Sequence, residues 1–406
     1  MTTLTALTPL RRDASTIGLV SVAHGVSHFC QLIVPPLFPW LGAAFSLSNT
    51  QLGLLLSVFF VVSCVGQALA GFVVDRHGAQ RVLFGGLALL GVAALGLAAS
   101  PSYPVMLLFM AVAGLGNCVF HPVDFSILNA RVSTPRLGHA YAAHGISGNL
   151  GWALAPVFVV GVAHASGSWR AALAAVAAVV AAVLLLLWLR RDALQVAPVT
   201  RTAHGAGDGG SLAFLRLPAV WTCFAFFLIF AVALGGIQSF APAAAGMLFG
   251  VPAAQVAICL SIYMATAAAG MVIGGHLVRD PRRSARIAAA GFGAAATVSL
   301  LIALGDWSAT TVPLLFGVMG LGAGIAGPSR DLLVKQATPA GATGRVYGVV
   351  YSGIDVGMSV APLVFGALMD AGAHREVWVG VALMQSLLVV TAFNVRRNAR
   401  PQPSAA

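Results

Sequence analysis

Apolar runs of about 20 residues recur along this chain, and the short gaps between them hold nearly all of its charge. A helix of about 20 residues spans the ~30 Å hydrocarbon core of a bilayer. The pattern predicts twelve spanning helices, at about 17–41, 52–74, 82–99, 103–127, 140–163, 169–189, 218–242, 253–278, 287–304, 310–329, 345–369 and 376–395. The expected fold class is therefore an all-α polytopic membrane protein. The first run meets no small-residue cleavage site and reads as a retained helix.

Composition agrees with the pattern. Hydrophobic residues make up 59% of the 406 and charged residues 8%, with a mean hydropathy of +0.93. A soluble chain of this length needs far more polar surface. All five cysteines (Cys30, Cys64, Cys118, Cys223, Cys259) fall inside predicted spans, which argues against a disulfide framework.

Twelve spans put both termini on one side. With the termini in the cytoplasm, Arg170 and Arg375 are the only 2 of 22 basic residues that fall outside, leaving 20 on the cytoplasmic side. This is a strong positive-inside signal for a bacterial cytoplasmic membrane. It also accounts for the net charge of +11, which is read as topology and not as nucleic-acid binding.

The longest polar stretch, 191–217, divides the spans six and six. Its Gly, Ala and Thr content reads as a flexible cytoplasmic linker between bundles at 1–190 and 218–406. The halves repeat. Gly114, Leu115, Gly116 and Pro122 match Gly320, Leu321, Gly322 and Pro328 at an offset of 206. Gly138, Tyr141, Gly151, Ala155 and Pro156 match Gly344, Tyr347, Gly357, Ala361 and Pro362 at the same offset. Two pseudo-symmetric six-helix bundles follow, of the kind that rock about a central site.

Between the second and third spans stands GFVVDRHGAQR, residues 71–81. Gly71 ends one span, Asp75 and Arg76 sit at its mouth, Gly78 permits a tight turn, and Arg81 opens the next span. Such a loop can latch one bundle to the other through Asp75. The ordinary alternative is a charged surface loop. The stretch resembles the signature loop of the major facilitator superfamily, with its G-x-x-x-D-R-x-G core intact. Ala79 and Gln80 replace the usual basic pair. Twelve spans, a central linker and the six-plus-six repeat extend the resemblance over essentially the whole chain. The resemblance implies that Asp75 and Arg76 gate a conformational cycle, and that the protein is a monomer. Arg279 and Asp280 stand at a degenerate counterpart in the second half.

HGVSHF in the first span, FHPVDF in the fourth and HGISGNLGWALAP in the fifth resemble the fosmidomycin-resistance-like branch of exporters. That branch often has an acid one turn after the first histidine, where this chain has His28. Many drug exporters of the superfamily also have an arginine where this chain has Met110, a departure from the standard antiport arrangement.

Ionisable groups inside a membrane are costly and need a partner or a task. His24, His28 and Gln31 share one face of the first span. Histidine titrates near physiological pH and can carry a proton. Asn117, His121 and Asp124 share a face of the fourth span, where Asp124 can pair with His121, or latch with it to His144 at the start of the fifth. Pro122 is expected to bend that helix. Gly145, Gly148 and Gly151 form a small-residue strip beside Asn149, suited to close helix approach. Asp355, the repeat partner of Asn149, is a proton-site candidate, and an ion pair with Arg330 is its alternative. Arg330 itself can hold an anionic group or anchor its helix at the headgroups. For each of these groups the plain alternative is a polar side chain fastened to a neighbouring helix. Tyr263, Trp152, Phe120 and Phe125 are possible walls of an internal surface.

Among His24, His28, His121 and His144, spacing shows only that pairs share faces, so no metal site is expected. No cofactor motif and no nucleophile with a base is present, so the chain does not read as an enzyme, and without a GxxxxGK[ST] loop an ATP-driven pump would need a separate subunit. The sequence predicts a proton-coupled secondary transporter, with protons and a small molecule as its partners. Export of a drug or metabolite as an antiporter is favoured, and proton symport of a small organic anion or metabolite is the alternative.

Overall fold

The computed structural model describes residues 9–196, 218–277, 283–337 and 343–398. The expected loop residues Arg279 and Asp280, and most of the expected linker, lie outside the described residues. Regular structure among the described residues is helical. In chain order the α-helices are α1 (Pro9–Gln31), α2 (Phe38–Phe45), α3 (Asn49–His77), α4 (Ala79–Ala99), α5 (Tyr103–Asn117), α6 (Phe120–Arg131), α7 (Leu137–Ser166) and α8 (Trp169–Leu189). They continue as α9 (Pro218–Ser239), α10 (Ala241–Phe249), α11 (Ala253–Leu277), α12 (Ser284–Leu304), α13 (Val312–Ala337), α14 (Thr343–Asp370) and α15 (His374–Asn398). Among the described residues, twelve stretches are long and apolar enough to cross a membrane.

Three expected spans are interrupted. Helix α1 stops at Gln31, and the chain resumes as a 3-10 turn, Pro35–Leu37, before α2. Pro35 and Pro36 lack an N–H, and proline disfavours helical backbone in the residue before it. A like break separates α9 from α10, where Pro242 stands 206 residues after Pro36. The fourth span divides into α5 and α6, which places Pro122 in the first turn of α6. There it costs no helical hydrogen bond, because first-turn N–H groups have no intrahelical acceptor. The expected bend at Pro122 is thus a break just before it.

The chain forms two compact units, residues 1–37 with 62–202, and residues 38–61 with 203–406. This differs from a simple division at the linker, because the stretch 38–61 groups with the second unit. Its polar groups explain why. Asn49 N and Nδ2 donate to Asp370 Oδ1 at 2.7 and 2.9 Å, and Thr50 N and Oγ1 donate to Asp370 Oδ2 at 2.8 and 2.6 Å. Ser57 Oγ donates to Ser359 O at 2.6 Å. The start of α3 also carries a capping box: Ser48 N donates to Gln51 Oε1, and Gln51 N to Ser48 Oγ.

In the first unit α1 packs on α7, and α4 on both α5 and α8. In the second, α9 packs on α14, and α12 on both α13 and α15. These are the same pairings one repeat later. Gly151 and Gly357, the matched glycines, stand at both interfaces: a Cβ on Gly151 would lie 2.0 Å from Gly25 O, and one on Gly357 2.6 Å from Leu228 O. Close backbone approach of this kind is how helices associate in lipid. A second equivalence lies at the α8 and α15 starts. Arg170 Nη1 donates to Ala98 O at 2.6 Å and Arg375 Nη1 to Ala303 O at 2.7 Å, each reaching back 72 residues to a helix end.

Candidate functional site

Helix α1 supplies His24 and His28, α6 supplies His121 and Asp124, and α7 supplies His144. The structure brings all five together in the first unit. Asp124 is fully buried, and its Oδ2 lies 3.1 Å from His24 Nδ1 and 3.1 Å from His144 Nε2. The His24 and His144 rings stack with centroids 3.5 Å apart. His28 lies 4.3 Å from His24, and His121 lies 5.3 Å from His24 and 6.0 Å from His144. His24, His28 and His144 are buried, whereas His121 is exposed, so the cluster opens at His121. The imidazoles against Asp124 are therefore those of α1 and α7: His144 is the latch partner that the sequence offered as the alternative to His121, and His24 is a partner that it did not offer.

Gly148 makes this arrangement possible. A Cβ there would lie 2.8 Å from His28 Nδ1 and 3.0 Å from His24 Nε2. The glycine strip on α7 thus packs against α1 and also leaves room for two rings. Asn149 donates from Nδ2 to Gly145 O at 3.1 Å.

An amide network adjoins the imidazoles. Asn117 Oδ1 accepts from Ser27 Oγ at 3.0 Å and from Gln31 Nε2 at 2.9 Å, and Asn117 Nδ2 donates to Ser63 Oγ at 2.9 Å. Trp152 Nε1 donates to Gln31 Oε1 at 3.2 Å, and the Trp152 ring lies 4.3 Å from His28. Trp152 is therefore the wall between the amides and the imidazoles. Ser27 and Ser63 were missed in the sequence because a hydroxyl in a spanning helix ordinarily bonds its own backbone. Ser27 does sit three residues after His24, which was the available signal.

Asp13 was missed as well. It is fully buried, accepting from Ser133 Oγ at 2.5 Å and from Arg136 Nη1 at 2.7 Å. It ties the start of α1 to the turn before α7. Its signal was weak: it is an acid next to Arg11 and Arg12 in a polar flank.

The remaining candidates stand on other elements. Gly71, Asp75, Arg76 and Arg81 are exposed along the end of α3 and the start of α4. Gly78 is the hinge between them, with φ of 85°, and a Cβ added to Gly71 would meet nothing within 4 Å. In the second unit, Arg330 lies over the rings of Phe230 and Phe227, at 4.4 and 5.2 Å from their centroids. Asp355 is half-buried on α14. Met110 is buried.

Comparison with known proteins agrees with this architecture. The family model for the Major Facilitator Superfamily matches residues 20–362, and the chain belongs to that family. It is 25% identical over 96% of its length to the probable nitrate/nitrite transporter NarK2 of Mycobacterium tuberculosis, covering 98% of that protein. It is 32% identical over 34% of its length to the MFS-type transporter YfnC of Bacillus subtilis, and 28% identical over 37% to the fosmidomycin resistance protein of Escherichia coli. These two matches span 34% and 37% of the relatives' own lengths. Among solved structures, a bacterial homolog of the human lysosomal transporter Spinster, inward-facing and occupied, superposes with a TM-score of 0.80 at 16% identity, covering 98% of this chain and 100% of that one. At that identity the likeness shows the fold. With twelve stretches among its described residues long and apolar enough to cross a membrane, this member of the family is a multi-pass membrane protein.

Proposed function

We propose that this protein is a proton-driven exporter of a small, partly polar molecule, working by alternating access in the cytoplasmic membrane. One observation carries the reading: a buried carboxylate, Asp124, held between two buried imidazoles in a unit built mostly of apolar helices. Groups this costly in a membrane interior mark a transport pathway. His24, His28, His121, Asp124 and His144, with Gln31 and Asn117 beside them, form the cargo site. Asp355, an intramembrane carboxylate of the second unit, is assigned the proton. Asp75, Arg76 and the Gly78 hinge are assigned the gate. Export is favoured by the likeness to a fosmidomycin resistance protein.

Uptake of a small anion is the second reading. The Arg330 guanidinium over Phe227 and Phe230 supports it, as does the full-length likeness to a nitrate/nitrite transporter. Lumenal pH in everted, energised vesicles separates the two, with antimicrobials, chelators and organic acids added outside. A compound-specific loss of lumenal acidity, absent in Asp355→Ala, indicates antiport and export. Added acidification indicates symport and uptake.

A further inference from the structure

We infer that the cluster in the first unit is a binding site for a divalent transition-metal ion, with His24, His121 and His144 as nitrogen ligands and Asp124 as the oxygen ligand. The assignment deepens the reading of this cluster as the cargo site, on which it rests, by naming a metal ion as the group through which the cargo is held there.

Geometry supports it first. One ring nitrogen from each of His24, His121 and His144 lies within 4.8 Å of the others. Metal–nitrogen bonds of about 2.0–2.1 Å in a tetrahedron place ligand atoms about 3.4 Å apart. Binding would draw these three nitrogens closer together. Asp124 Oδ2 is already 3.1 Å from His24 Nδ1 and His144 Nε2, close to the edge length of such a site. The four ligands come from three helices, so the fold and not local sequence gathers them.

Unspent bonding capacity supports it next. Asp124 is fully buried, yet its Oδ1 has no hydrogen-bond partner among the described residues. A buried carboxylate oxygen without a partner is costly. A cation bound by this carboxylate offsets that cost. Gly148 cradles the site, since any Cβ there would press on the His24 and His28 rings.

The donor set selects the ion. Three imidazoles and one carboxylate suit zinc, cobalt or nickel, whereas calcium and magnesium take oxygen ligands. Exposed His121 gives the ion a point of entry.

The test uses the purified full-length chain in detergent, without a polyhistidine tag and stripped with chelator. Cobalt chloride is titrated while visible absorption is recorded, and zinc chloride is titrated by calorimetry. The expected result is about one ion per chain, with the intense visible bands of four-coordinate cobalt. Both His144→Gln and Asp124→Asn should weaken binding at least tenfold, as should His121→Gln, which alters an exposed side chain and spares the buried packing. His139→Gln, a change at an exposed histidine outside the cluster, should leave binding unchanged. No saturable binding by the wild-type chain, a six-coordinate cobalt spectrum, or unchanged affinity in His121→Gln would overturn the site. If binding is absent while proton-driven export persists, this assignment alone falls. If vesicles show no proton-linked transport while cobalt binds as described, the transport reading falls and the metal site stands.

Discussion

Asp124 Oδ2 on α6 and His144 Nε2 on α7 stand 3.1 Å apart, both buried, with the His24 ring stacked on His144. Helices α6 and α7 follow one another in the chain, so a short turn suffices to bring these two residues together. The third partner, His24, arrives from the start of the chain on α1. The contact thus fastens α1 to both. Loss of the carboxylate should loosen this arrangement and remove the ligand that holds both rings. Asp124→Asn should reduce cargo-dependent transport at least about tenfold, which corresponds to ~1.4 kcal/mol of lost binding. Vesicle transport at matched protein abundance checks it.

Gly148 is predicted to be intolerant of even one methyl group. Its Cβ would lie 2.8 Å from His28 and 3.0 Å from His24. Overpacking of this kind costs about 1–3 kcal/mol and displaces the rings. Gly148→Ala should impair transport sharply, whereas Gly161→Ala, on the same helix but where a Cβ meets nothing within 4 Å, should fold, insert and transport normally. Near-equal transport in the two variants would remove the case for a sterically defined imidazole cradle.

Gly78 makes a different demand. Its φ of 85° is a left-handed conformation between α3 and α4. A side chain there costs about 1–3 kcal/mol. Gly78→Val should therefore lower the thermal midpoint of the detergent-solubilised protein, and Gly78→Asn should lower it as well, because with ψ of 141° the residue lies outside the left-handed helical well that asparagine tolerates.

Two carboxylates outside the cluster should act on stability. Asp13→Ala leaves Ser133 and Arg136 without their acceptor and should cost about 1–3 kcal/mol. Asp370→Ala removes the acceptor for the Asn49 and Thr50 backbone N–H groups at the start of α3. The loss is that of an N-terminal cap, about 0.5–2 kcal/mol. Thermal denaturation of each variant measures both, and an unchanged midpoint for Asp13→Ala would contradict its role as a tie between α1 and the turn before α7.

Much of the fold was legible because hydrophobic length is a direct readout of bilayer thickness, so the spans follow from counting. The helix breaks before α2, α6 and α10 were less so. Prolines near each break were visible, but a proline in a spanning helix either bends it or starts a new one, and tertiary packing decides which. At the site, helical periodicity placed His24, His28 and Gln31 on one face, and the structure joins them to Asn117, His121, Asp124, His144 and Trp152. Periodicity shows which residues share a face of one helix, and says nothing of how neighbouring helices rotate against each other. The His24–Asp124 contact depends on that rotation, so the sequence offered His121 in its place. Asp13 escaped notice because a charged residue in a flank looks solvated until the turn that covers it is placed.

Transport through the buried cluster of the first unit is the central claim, and lumenal pH in everted, energised vesicles tests it most directly. Vesicles bearing the wild-type chain or Asp124→Asn are compared at equal abundance, with the same compound added outside. The prediction is a compound-dependent loss of lumenal acidity in the wild type and none in the variant, with both responding alike to an uncoupler. An undiminished response from Asp124→Asn would contradict the claim and place the transport site elsewhere in the protein.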